Sequence, residues 1–190
     1  MEAEDVDVGE LHGLVVRGFE TRLGAVESEQ WGRATPCTEW DVRGLVEHVT
    51  GNHLRLASVL HGRPIENGGA DTVSAWSAAR DQVRSGLAVP GALESRAPSP
   101  FGGEASGRDL AHILAADLAM HTWDLARAIG ADDTLDADVV AFLLPVFERI
   151  APGLAASGKF GPRVAVPESA GPQRLLLALT GRDEAWSPLG

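Results

Sequence analysis

Asp117 and His121 stand four residues apart in an otherwise apolar stretch, and they are the first sign of chemistry in this chain. On an α-helix, at about 100° per residue, they lie about 40° apart and one turn above the other. Asp124 comes seven residues after Asp117 and returns to within about 20° of it. The stripe Leu110, Ile113, Leu114, Leu118 and Leu125 turns the same side of this helix toward a core. A carboxylate on such a face is costly unless it is paired, hydrogen-bonded or bound to a metal. The spacing i, i+4 lets a carboxylate oxygen and an imidazole nitrogen converge on one ion, the geometry that serves His-Glu-x-x-His. The same two side chains can also satisfy each other through one hydrogen bond, without any ion.

A third ligand must come from a facing helix, where His48 and His53 are available. Five residues separate them, about 140° around the axis, so they cannot share one face. Periodicity puts His53 near the apolar stripe and His48 on its flank beside Asn52, and it leaves the choice between them open. His12, His61 and His112 are weaker candidates, with His112 expected to face solvent. Asp124 is placed to hold a ligand's second ring nitrogen, to pair with an Arg from another helix, or simply to meet Arg127 at i, i+3. Trp40, Asn52, Trp76 and Arg80 are candidates for a pocket wall, although each also reads as an ordinary helix or core residue. The lone cysteine, Cys37, lies at a helix start with no His beside it in sequence, so packing is its expected role.

The elements that must position these groups are helical. Apolar spacing of three and four marks helices over about 4–28, 38–61, 71–87 and 106–129. Thr38 with Asp41 resembles a capping box for the second, and Gly130 is a natural stop for the fourth. Residues 88–107 are rich in Gly, Pro and Ser and predict a loop or short irregular hairpin. A further helix starts at Asp136, with Pro145 expected to kink or divide it, and a short one spans 173–179. The expected architecture is all-α: one domain over 1–190, with a four-helix bundle in about 4–150 and a looser C-terminal extension in about 151–190. The tail Thr180-Gly181-Arg182-Asp183 is assigned no chemistry.

Composition narrows the class. The 190 residues are 44% hydrophobic and 23% charged, enough to bury a real core. With 16 basic against 27 acidic side chains, the net charge of −11 disfavours nucleic acid and anionic membrane as partners. One cysteine cannot form an internal disulfide, and the acidic start Met1-Glu2-Ala3-Glu4-Asp5 is unlike a secretion signal, so a cytoplasmic protein is expected.

Two runs carry a family resemblance. Thr35-Pro-Cys-Thr-Glu-Trp40-Asp-Val-Arg-Gly-Leu-Val-Glu-His48 and Asp117-Leu-Ala-Met-His121-Thr-Trp123-Asp124-Leu-Ala-Arg-Ala-Ile-Gly130 resemble the mycothiol-dependent maleylpyruvate isomerase N-terminal domain family, within the DinB-like metal-binding superfamily. The resemblance implies a DinB-like four-helix bundle with a divalent metal, zinc first and nickel or iron as alternatives, near one end. It also implies the ligands His48, Asp117 and His121, and so decides for His48 over His53. The implied chemistry is thiol S-transfer to a small electrophile, or a related isomerisation, with mycothiol as co-substrate. Two departures count against maleylpyruvate isomerase activity itself: the family enzyme has Glu where this chain has Asp117, and its C-terminal domain would not fit in 190 residues. The alternatives are a thiol-independent metal enzyme and a non-catalytic small-ligand binder. The expected partner is a small molecule, and a homodimer is compatible with the sequence.

Overall fold

The computed structural model describes residues 7–154 and 157–188. Helix α1 (Val8–Leu23) starts where the Asp7 carboxylate accepts from the Glu10 N–H at 2.8 Å. It buries Leu11, Val15 and Phe19 along one stripe. The expected start of this helix, at residue 4, lies outside the described residues. Its end comes at Leu23, earlier than the periodicity predicts. Val26 is still half-buried against the core, but it sits in the turn that leads to a short 3-10 helix, Ser28–Gln30. An apolar residue in the right phase can thus pack without being helical.

Helix α2 (Val42–His61) is capped by Asp41, which accepts from the Gly44 N–H at 2.8 Å. Thr38, the expected cap, lies before the helix. The Thr35 hydroxyl instead closes the preceding loop by donating toward the carbonyls of Cys37 and Trp40, each at 2.8 Å. That closure, with an isolated bridge between Ala34 and Asp41, holds Trp40 over the first turns of α2. Helix α3 (Thr72–Leu87) begins at an Asp71 cap.

Residues 88–106 contain the expected hairpin: β1 (Arg96–Pro98) pairs antiparallel with β2 (Glu104–Ser106). The hairpin delivers Ser106 as the cap of α4 (Gly107–Ile129), in a reciprocal box with Asp109. Gly130, at φ 74°, ends α4 in the left-handed conformation that an L side chain adopts only with strain.

These four helices close a ring, with α2 packed on α3 and α4, and α1 packed on α4 and α3. Helix α5 (Ala137–Leu154) runs unbroken through Pro145, contrary to the expected kink or division. Pro145 and Ala141, one turn before it, are both exposed, so the missing N–H and the freed carbonyl face water. Helix α6 (Pro172–Leu179), with proline at its first position, packs on α5 and buries Leu176, Leu177 and Leu179. Every residue from Leu118 to Ala126 is buried, so the second half of α4 is covered all round. No helix among the described residues is long and apolar enough to cross a membrane.

Candidate metal centre

Helices α2 and α4 face each other, and their contact brings His48 opposite Asp117 and His121. Both histidine Nε2 atoms lie 3.5 Å from Asp117 Oδ1. One nitrogen or oxygen from each of the three residues falls within 4.8 Å of the other two, and this is the only group of its kind among the described residues. Asn52, one turn after His48, places its amide nitrogen 2.7 Å from Asp117 Oδ2 and 3.0 Å from His48 Nε2. The Arg55 guanidinium donates to the amide oxygen of Asn52 and so settles which end of the amide is which. The Asn52 amide nitrogen thus stands between Asp117 Oδ2 and His48 Nε2 and ties the carboxylate to α2. Trp40 stacks on His48, with ring centroids 4.0 Å apart and planes 23° apart, and it meets His121 edge-on at 5.5 Å.

Behind His121 stands a second pair of charges. Its Nδ1 lies 2.9 Å from Asp124 Oδ2. The Asp124 carboxylate has no exposed surface and is held by Arg182 through two bonds, Nε to Oδ1 at 3.0 Å and Nη2 to Oδ2 at 2.7 Å. A buried carboxylate is tolerated here because the guanidinium fork and the imidazole satisfy both of its oxygens. Burial alone would raise both carboxyls. His121 and His48 outweigh it at Asp117, and Arg182 with His121 outweighs it at Asp124, so each stays below the usual carboxylate range. Burial opposes charge on His121, yet its bonds to Asp117 and Asp124 push its pKa up to about 9.

Comparison with known proteins gives the chain a family. Residues 14–126 match the mycothiol maleylpyruvate isomerase N-terminal domain, a span that contains all three members of the cluster. The chain belongs to that family. An uncharacterised protein present in two strains of Mycobacterium tuberculosis is 30% identical over 175 residues, covering 90% of this chain and 95% of the relative. The crystal structure of a histidine-to-alanine mutant of the mycothiol-dependent maleylpyruvate isomerase superposes with a TM-score of 0.54 over 77% of this chain and 72% of that one. At 15% identity that likeness shows a shared DinB-like fold.

The other residues singled out in this family member divide clearly. Asn52 and Trp40 stand at the cluster, as expected. Arg80 does not: its guanidinium bonds Glu20 and Asp81, on the side of α3 that faces α1. Trp76 is sealed in the core at 1% exposure, with its indole N–H donated to Glu20. His53 is fully buried and its Nδ1 donates to the Val49 carbonyl, so it points away from Asp117 toward His12 and Trp76. His112, expected in solvent, is half-buried with its ring 5.2 Å from Phe142 of α5. Asp124 meets both His121 and an Arg, though one from the segment after α6 and not from another helix, while Arg127 binds Asp133 and the carbonyls of Glu184 and Trp186. Burial, and then the nearby Asp124 carboxylate, push the Cys37 thiol up, which keeps it protonated and a poor nucleophile. Arg182 was missed. The one signal for it was an unmatched carboxylate, Asp124, on a buried stretch of helix.

Proposed function

We propose that this chain is a divalent-metal enzyme of low-molecular-weight thiol chemistry, which joins a thiol sulfur to a small electrophile. Zinc is the proposed ion, held by His48, Asp117 and His121, and mycothiol is the proposed thiol. The observation that carries this reading is the convergence of two imidazole nitrogens and one carboxylate within 4.8 Å. Two borderline nitrogens and one oxygen are a donor set that zinc accepts, and three protein ligands leave a coordination position for a substrate. When bound there, the ion supplies Lewis acidity that lowers the pKa of a thiol or water meeting it.

The chain's own residues have separate tasks. Asn52 occupies Asp117 Oδ2 and leaves Oδ1 between the two histidines. Asp124 takes the Nδ1 proton of His121 as a hydrogen bond, which turns Nε2 toward the cluster. Trp40 covers His48 and keeps water from that side of its ring. His48 and Asp117 remain about a quarter exposed, so the centre is open to a small molecule.

Metal analysis of the purified protein, with turnover of a panel of small electrophiles measured with and without mycothiol, tests the reading. One equivalent of zinc and turnover that requires the thiol are expected. A second reading has its own support, because two histidines and a carboxylate are also the donors of non-haem Fe(II) sites. Bound metal with thiol-independent turnover would favour it. Absence of both metal and turnover would leave a small-ligand binder.

A further inference from the structure

The Arg182–Asp124–His121 chain joins the last segment of the protein to the candidate metal centre. We propose that this segment is a latch. Arg182 is its positioning residue, acting through Asp124 on His121, so that docking of the tail and occupation of the metal site are one coupled equilibrium. The inference rests on the metal reading of His48, Asp117 and His121.

The backbone explains how Arg182 arrives there. Helix α6 ends in a Schellman motif, with the Gly181 N–H donating to the Ala178 carbonyl at 3.2 Å and the Arg182 N–H to the Leu177 carbonyl at 2.9 Å. Gly181 has φ 78°, and a Cβ on it would stand 2.6 Å from the Cα of Gly161, so no other residue fits this turn. The turn reverses the chain over α4. Thr180 is buried with its hydroxyl 3.5 Å from Met120 Sδ, and the carbonyls of Glu184 and Trp186 are held by Arg127 at 2.8 and 2.6 Å. Arg182 therefore enters between two anchored points and meets Asp124 through both of its oxygens.

Electrostatics supplies the coupling. Asp124 has no exposed surface, so without Arg182 it is a buried carboxylate facing only an imidazole. The acceptor that orients the His121 ring is then no longer fixed from behind, and a carboxylate behind a ligating histidine is worth roughly 10- to 100-fold in metal affinity. By reciprocity, whatever the docked tail adds to metal affinity, the metal must add to docking of the tail.

The test combines zinc competition titrations with hydrogen exchange of the amides of residues 176–186. Arg182→Met should weaken zinc by up to roughly 10-fold, the low end of what a direct partner of the ligand supplies, with the helical content intact, and Arg182→Lys should recover part of that loss. Gly181→Ala keeps the guanidinium but strains the turn, and it should weaken zinc as well. In the wild-type protein, zinc should slow exchange in 176–186 at least about fivefold. This last arm needs no variant, and it decides the matter if Arg182→Met fails to fold. Equal zinc affinity of wild type and Arg182→Met, or tail exchange indifferent to zinc, overturns the latch and leaves the metal reading standing. A wild-type protein that takes up no zinc overturns both.

Discussion

Two histidine clusters occupy one bundle, barely more than a helical turn apart on α2, and they are opposites. His48 faces α4, where Asp117 supplies a carboxylate, and the site is partly open. His53 faces α1 and α3, where its ring packs 5.6 Å from His12 and 4.6 Å from Trp76. There the Nε2 atoms of His12 and His53 are buried and bond nothing in the described structure. The consequence is electrostatic. Carboxylates at hydrogen-bonding distance lift His121 to about 9, against the burial that opposes its charge. Burial without such a partner lowers His53 to about 3 and His12 to about 4. Burial alone makes a histidine a neutral packing residue, and a carboxylate partner makes it a candidate for chemistry.

The sharpest way to break this contrast is to remove the carboxylate. Asp117→Ala should abolish stoichiometric zinc binding, with a loss beyond the roughly 100-fold ceiling expected for residues behind the ligands. Inductively coupled plasma analysis and competition with a chromogenic chelator would measure it, and retained zinc would remove Asp117 from the ligand set. His53→Ala should do the reverse. It empties a fully buried site and should cost about 2–4 kcal/mol in urea unfolding while leaving zinc affinity unchanged. A fall in zinc affinity without a fall in stability would show that His53 serves the centre after all.

Acid should separate the clusters next. His12 and His53 have folded pKa values below the ordinary 6.5, so as pH falls below about 6.5 the unfolded chain takes up protons that the folded chain refuses. Stability should therefore drop by about 1.4 kcal/mol per pH unit for each of them, His12 levelling off near pH 4 and His53 near pH 3. His121 works in the other direction in the metal-free protein. Its contribution is complete below about 6.5 and is lost as pH rises through about 9. Zinc must displace that proton, so zinc affinity should climb with pH over the same range. Denaturant titrations across pH 4 to 9, with and without zinc, would show both slopes. An acid limb about half as steep in the His53→Ala protein as in wild type, with the His12 share remaining, would assign that limb correctly. The smallest effect belongs to Arg80→Met, which breaks a partly exposed ion pair with Glu20 and should cost about 0.5 kcal/mol and no zinc affinity.

How much of this was legible in the chain differs by element. The helix starts near 71 and 106, the stop at Gly130, and the shared edge of Asp117, His121 and Asp124 follow from local rules that act within one or two turns. The resemblance carried by the two motifs supplied His48, which periodicity had not separated from His53. Pro145 misled because a proline on the exposed side of α5 leaves its unpaired carbonyl to water, and exposure is not a local property. Arg80 misled because a charged residue on a bundle helix has a choice of neighbours, and Glu20 of α1 was the one that met it.

The sequence by itself therefore determined which side chains share a face, and where most helices start and stop. Only the tertiary structure decided which neighbour each face meets: α4 for His48, α1 and α3 for His53, and a guanidinium 58 residues away in sequence for Asp124. The reason lies in the geometry of the helix. A 3.6-residue repeat sets angles about one axis, and it holds no information about the axis packed against it.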